Sequence, residues 1–173
     1  MATTAPAAQG LQRHGPFAGY APAEHRPLGS YAILTGAFGA ALAGALLGLR
    51  AAGRELPERY SLADIALAGV ATHKLSRLLA KDKVTSFLRA PFTRYEESGA
   101  PGEVEEQARG TGMRLAIGEL AICPYCLSQW VAAAFAGGLV AAPRTTRFLA
   151  SIYAAETVSD FLQQAYIAVE KRA

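Results

Sequence analysis

Charge is scarce in this chain, and the scarcity excludes several protein classes. Only 18% of its 173 residues are Asp, Glu, Lys or Arg, against roughly 25% in soluble domains. Hydrophobic residues reach 51% and the mean hydropathy is +0.17, a balance that leans towards a membrane although alanine inflates the apolar count. Two cysteines, Cys123 and Cys126, are too few for a secreted disulfide scaffold. No Walker loop, nucleophile elbow or dinucleotide fingerprint occurs, so no catalytic set is identifiable and an enzyme is not expected. Lys and Arg exceed Asp and Glu by 17 to 14, yet they flank apolar runs instead of clustering with aromatics, which argues against nucleic acid as a partner. An early charged region is also missing. The first basic residue is Arg13, and Pro6, Pro16, Pro22 and Pro27 break up the N-terminal stretch, so the first apolar helix is expected to be retained, not cleaved as a signal peptide.

What the chain does have is long charge-free runs. Between Arg26 and Arg50 lie 23 uncharged residues, where about 20 in a helix cover a hydrocarbon core of roughly 30 Å. Within that run Gly36, Ala40, Gly44 and Gly48 recur every four residues and form one small-residue ridge, the kind that lets transmembrane helices approach closely. Such a segment is a poor helix in water, where each Gly costs about 1 kcal/mol relative to Ala. In lipid the unpaired alternatives are worse. A second run, Leu120 to Pro143, holds 24 residues without a formal charge. Pro124 suits a first helical residue, and a helix from Pro124 to about Ala142 fits the bilayer.

The remaining chain reads as a tail, two more helices and two loops. Residues 1–29 are rich in Ala, Pro and Gly and are expected to be disordered or partner-binding, with Phe17, Tyr20 and Tyr31 available as anchors. Ser61 and Asp64 resemble a capping box opening a helix from about Leu62 to Ala80. Its uncharged stretch, Ile65 to Thr72, is too short to span unaided, so it is either a short span with Lys74 and Arg77 snorkelling or an interfacial helix. Lys81 to Tyr95 reads as a basic loop, and Glu96 to Glu106 as an acidic turn or exposed loop around Gly99, Pro101 and Gly102. Pro143, Arg144 and Thr145 read as a tight hairpin before a last helix, about Thr146 to Val169. The expected fold is therefore all-α: a small helical membrane protein with three or four transmembrane or interfacial helices. It divides into the tail at 1–29, the Gly-ridged helix at 30–50 and a helical membrane domain at 60–170.

Two topologies are compatible with these runs. With four spans, ten basic residues share one side (Arg13, Arg26, Lys81, Lys83, Arg89, Arg94, Arg109, Arg114, Lys171, Arg172) and five the other (Arg50, Arg54, Arg59, Arg144, Arg147). With three spans and an interfacial second helix the split becomes 13 to 4. Both put the Lys81–Arg114 loop, the C-terminus and the cysteine end of the second run in the cytoplasm, with the protein integral to the inner cell membrane.

Three groups of residues could carry chemistry. Cys123-Pro-Tyr-Cys126 has the spacing of a dithiol redox pair or half a zinc site. With Pro124 first in the helix, Cys123 is the N-cap and its thiolate is favoured by unpaired N–H groups. No cofactor is expected; the alternative is zinc or another thiophilic metal, for which two further ligands must come from His14, His25, His73, Glu119, Glu156 or Asp160. The plain alternative is two reduced thiols packing at a helix entry. Lys74 or Arg77 is expected to reach Glu156 or Asp160, because ionisable groups at membrane depth are costly and usually paired. Lys81, Lys83, Arg89 and Arg94 are candidates for binding anionic lipid headgroups.

Three stretches resemble the uncharacterised bacterial family known as domain of unknown function 1360, which includes sporulation-associated membrane proteins. They are Ala71-Thr-His-Lys-Leu-Ser-Arg77 continuing into Asp82-Lys-Val-Thr-Ser86 and Leu88-Arg-Ala-Pro-Phe-Thr93; Gly118-Glu-Leu followed by Cys123-Pro-Tyr-Cys-Leu-Ser-Gln-Trp130; and Ser159-Asp-Phe-Leu-Gln163. The resemblance covers about residues 60 to 170 and leaves the Gly-ridged helix outside. It implies a membrane location and no known activity. It makes Arg77, Asp82, Arg89, Glu119, Cys123, Cys126, Trp130 and Asp160 motif positions without assigning them roles. The sequence thus favours an accessory or structural subunit of a membrane assembly, partnered by lipid, by further copies of itself or by other membrane subunits. A cytoplasm-facing thiol or metal protein comes next, and an ion conduit using Glu156, Asp160 and Arg77 last.

Overall fold

A computed structural model describes Phe17, Gly19–Ala21 and residues 26–172. Most of the tail expected at 1–29 lies outside these residues, as do Arg13, His14 and His25.

The first helix, α1 (Leu28–Ala51), begins two residues inside the segment expected to be tail. It ends where Gly53 adopts φ +68°. There the Gly53 and Arg54 N–H groups donate to the Arg50 and Leu49 carbonyls at 3.0 and 2.9 Å, a left-handed cap that a residue with a Cβ adopts at a cost. Helix α2 (Leu62–Lys81) is capped as its sequence predicts, the Ser61 hydroxyl accepting from the Asp64 N–H at 3.0 Å. A 3₁₀ turn (Lys83–Thr85) and the single-turn α3 (Ser86–Arg89) come next. Helices α4 (Gly112–Ala121), α5 (Pro124–Ala141) and α6 (Pro143–Glu170) complete the chain.

Two expectations need correction. The chain is mostly helical but not all-α: β1 (Thr93–Ser98) and β2 (Val104–Ala108) pair antiparallel from Thr93↔Ala108 to Ser98↔Val104, with a bulge between Tyr95 and Glu97. Of the glutamates that made this stretch read as a loop, Glu96 and Glu97 are exposed while Glu103, Glu105 and Glu106 pair with basic side chains; Thr93 and Val104 are buried and set the register. No separate turn exists at Pro143–Thr145 either. Pro143 is the first residue of α6, where its missing N–H leaves nothing unpaired, and Ala142 alone joins α5 to α6.

Four long helices lie alongside one another, and side-chain pairs fix their directions. Tyr31 meets Glu119 just before α5, and the Phe38 and Trp130 rings sit 5.1 Å apart edge to face, so α1 and α5 run together. Arg147 grips Asp64 and Lys74 meets Asp160, so α2 and α6 run together in the opposite sense. The near end gathers Arg26, α4, the hairpin and the close of α6; the far end gathers residues 50–61 and the α5–α6 junction, where the Tyr60 hydroxyl donates to the Ala136 carbonyl at 3.3 Å. A thin core of Ala71, Val131, Phe135 and Ala150, flanked by Leu67, Leu75, Leu79 and Tyr153, joins α2, α5 and α6. Alanines at the crossings let the backbones approach closely. Outside that core the bundle is apolar and exposed: α1 buries none of its residues, and α6 exposes Phe148, Ile152, Val158, Phe161 and Val169.

Among the described residues, α1 is the one helix long and apolar enough by itself to cross a membrane. Helices α4 and α5 meet the same test only as a pair, bent by 78° at Ile122–Cys123.

Candidate functional site

Where α4 turns into α5, one cavity of about 680 Å³ opens between α1, α4 and α5, within the ~300–1,000 Å³ range of small-molecule sites. Helix α1 supplies Tyr31, Leu34, Thr35 and Phe38, positions three or four apart and hence on one face. The sharp bend supplies Glu119, Ile122 and Cys123, and the first turns of α5 supply Cys126, Gln129 and Trp130.

The cysteines sit where the bend forces them. Cys123 is the N-cap of α5 and Pro124 its first residue; the Cys126 N–H donates to Cys123 Sγ at 3.2 Å. The two sulfurs are at disulfide distance, with Cα atoms 5.2 Å apart. A helix N-terminus favours the thiolate when such a pair is reduced. Beside it the Tyr31 hydroxyl donates to Glu119, and Arg26 lies 3.7 Å from the same carboxylate. The polar wall is thus one cation, one anion and a phenol, close to neutral in sum. Among the described residues no three of His, Cys, Asp and Glu gather in a group that could hold a metal ion. His73 lies exposed on α2, a helix that contributes nothing to the cavity.

Of the other charged candidates, Lys74 makes the expected contacts to the last helix, and the rest divide differently. Lys74 Nζ reaches Asp160 at 2.7 Å and Glu156 at 3.3 Å. Arg77 turns instead to Glu103 on the hairpin, with Nε and Nη2 at 2.6 and 2.8 Å. Arg89 is not available to lipid headgroups. It is 2% exposed, pairs with Glu106, and donates to the Leu79 carbonyl, the Thr85 hydroxyl and the Asp82 carbonyl at 2.7, 2.8 and 3.1 Å. Lys81 is engaged by Glu105 at 2.7 Å, whereas Lys83 stays exposed and Arg94 spends its guanidinium on Gln107. Asp82, half-buried at the end of α2, has its carboxyl pushed up from the usual range by desolvation; Glu103, Glu156 and Asp160 add to the shift and Lys74 opposes it. The ridge glycines Gly36, Gly44 and Gly48 have no neighbour within 4 Å of where a Cβ would be, and Ala40 is exposed beside them.

Sequence reasoning found the cysteines and Glu119 but not Arg26, Tyr31, Thr35 or Gln129 as one wall. Tyr31 lies 88 residues from Glu119, and no local signal links them.

The sequence pattern of the family described as "Protein of unknown function (DUF1360)" matches residues 67–166, which include Glu119, both cysteines, Gln129 and Trp130. The chain belongs to this family. Helix α1 lies outside the matched DUF1360 region, so the cavity is built partly from family residues and partly from a segment before them. Sporulation protein YjcA of Bacillus subtilis (strain 168) is 39% identical over 71 residues, which cover 39% of this chain; the chain thus spans 60% of that relative's length. No solved structure matches the chain.

Proposed function

We propose that this DUF1360 protein is a four-span membrane protein carrying a thiol–disulfide redox pair, Cys123 and Cys126, at the near end of one span. The observation behind it is the pair itself, at bonding distance on a helix N-terminus and lining a cavity. A purely structural disulfide closes a long loop to gain stability; this one closes a loop with a sequence separation of 3 and holds nothing distant. Membrane residence is supported by the apolar α1, by the exposed apolar surface of α6 and by the side-by-side, up-and-down packing of the four long helices. The larger group of described basic residues lies at the near end, which supports a cytoplasmic cysteine end. Disulfides on that side are usually transient and catalytic or sensing.

The test is a redox titration of the detergent-solubilised protein in glutathione buffers, with free thiols counted by maleimide mass tagging. Two tags should appear together as the buffer is made more reducing, and a Cys126→Ser variant should show one tag in reducing buffer and a glutathione adduct in oxidising buffer. A pair that stays fully reduced even in the most oxidising buffer ends the thiol reading. A protein that is monodisperse in buffer without detergent ends the membrane reading.

A second reading has its own support. The open ridge of Gly36, Ala40, Gly44 and Gly48 on an otherwise unburied helix fits lateral association with a second copy or another membrane subunit. Gly44→Leu should convert a cross-linkable oligomer to monomer in native-membrane cross-linking, and an unchanged ladder counts against the reading.

A further inference from the structure

We infer that the cavity beside Cys123 and Cys126 receives a lipid-soluble quinone that takes two electrons from the reduced cysteine pair. The inference rests on the thiol-redox reading above and names its electron acceptor.

Three observations carry it. The first is location. The cavity begins at the near ends of α1 and α5 and reaches Phe38 and Trp130, roughly 10 Å along each helix at about 1.5 Å per residue. In the four-span reading that depth lies inside the hydrocarbon layer, where a hydrophobic ring partitions and a water-soluble acceptor does not. The second is chemistry. Leu34, Phe38, Leu120 and Trp130 form an apolar box for a flat ring, and Gln129 and Thr35 on the same walls carry N–H or O–H groups suited to a ring's carbonyl oxygens. The third is charge. Arg26 is 3.7 Å from Glu119, so the polar wall has its cation and anion paired. An anionic phospholipid headgroup finds no uncompensated positive charge there, whereas an uncharged ligand with acceptor oxygens does not need one.

The step balances. Each reduced cysteine gives up its S–H proton, the S–S bond forms between Cys123 and Cys126, and the two electrons with the two protons turn the quinone's two C=O groups into O–H groups. The disulfide returns to the dithiol when a cytoplasmic thiol reductant is oxidised to its own disulfide, two thiols for each bond reduced.

Trp130 is the only tryptophan of the chain, so its fluorescence reports occupancy directly. The full chain in phosphatidylcholine nanodiscs is titrated with a decyl-chain benzoquinone, then reduced, freed of reductant under anaerobic conditions and mixed with one equivalent of the same quinone. The quench should saturate in the wild type and in Cys126→Ser, and become linear in Thr35→Phe, which fills the box. The wild type should form one quinol for each pair of thiols lost, at a rate at least tenfold above Cys126→Ser. A linear quench in the wild type, or quinone reduction no faster than in Cys126→Ser, overturns the inference. So does a saturable quench that disappears when phosphatidylglycerol replaces phosphatidylcholine, because lipid is then the occupant. If the pair still cycles in glutathione while the quinone is ignored, the acceptor is wrong and the redox reading stands; if the pair does not cycle, both fall.

Discussion

Arg89 and Glu106 are 2% and 5% exposed in their side chains, and each depends on the other for its charge to remain buried. Thr93, itself buried, shares its hydroxyl proton between Glu106 Oε1 at 3.2 Å and the Arg89 carbonyl at 3.0 Å. Arg89→Ala therefore leaves Glu106 uncompensated and should destabilise the near end by about 3–5 kcal/mol, read as a lowered Tm in detergent. Arg89→Lys should recover only part of that loss, because a single ammonium cannot reach four acceptors from one planar fork. Asp82 is the opposite case. Its carboxyl is raised, so folding disfavours the charged form and the penalty grows as pH rises through the folded value. Asp82→Asn should be neutral at acid pH, below the ordinary aspartate range, and stabilising at pH 7. A Tm difference that stays flat between those pH values sinks the account. Its backbone carbonyl, which Arg89 and Thr85 use, is unchanged by the substitution.

At the scale of elements, α4 is seated on the hairpin through one glycine. A Cβ on Gly118 would lie 2.6 Å from the Phe92 carbonyl oxygen and 2.9 Å from Ala108 Cβ, and neither is the end of a flexible side chain. Gly118→Ala should cost about 1–3 kcal/mol by overpacking and raise hydrogen exchange in β2, which thermal melts and mass spectrometry would register. Helices were the legible elements. Ser61, Pro124 and the two charge-free runs marked their ends because capping and proline chemistry act locally. The hairpin was not legible, since its strands are rich in glutamate and their pairing depends on Arg77, Lys81 and Arg89 reaching across from elsewhere. Helix α4 was not expected: it opens inside the stretch read as the Lys81–Arg114 loop, and Thr111 makes no side-chain cap there. Of the cavity, the family motif exposed the α4–α5 half, while the α1 half became visible only once the fold brought it there.

For the whole molecule the course of α2 decides the proposed topology; the pairings Asp64–Arg147 and Lys74–Asp160 hold it alongside α6, so the two helices cross or lie flat together. In a background with both native cysteines replaced by serine, Leu56→Cys and Ala100→Cys should label with a membrane-impermeant maleimide from opposite sides of sealed vesicles. Labelling from the same side would return α2 to the interface and undo the four-span reading.

The bend at Ile122–Cys123 makes α4 a lever between α5 and the hairpin. Helix α4 extends about 15 Å from that joint, with Gly118 pressed on the hairpin partway along it. In the proposed topology a thinner bilayer that tilts α5 by about 10° would carry the opposite end of α4 through ~3 Å at this arm length. In the proposed four-span topology membrane thickness would thereby set how wide the gap beside the cysteines stands.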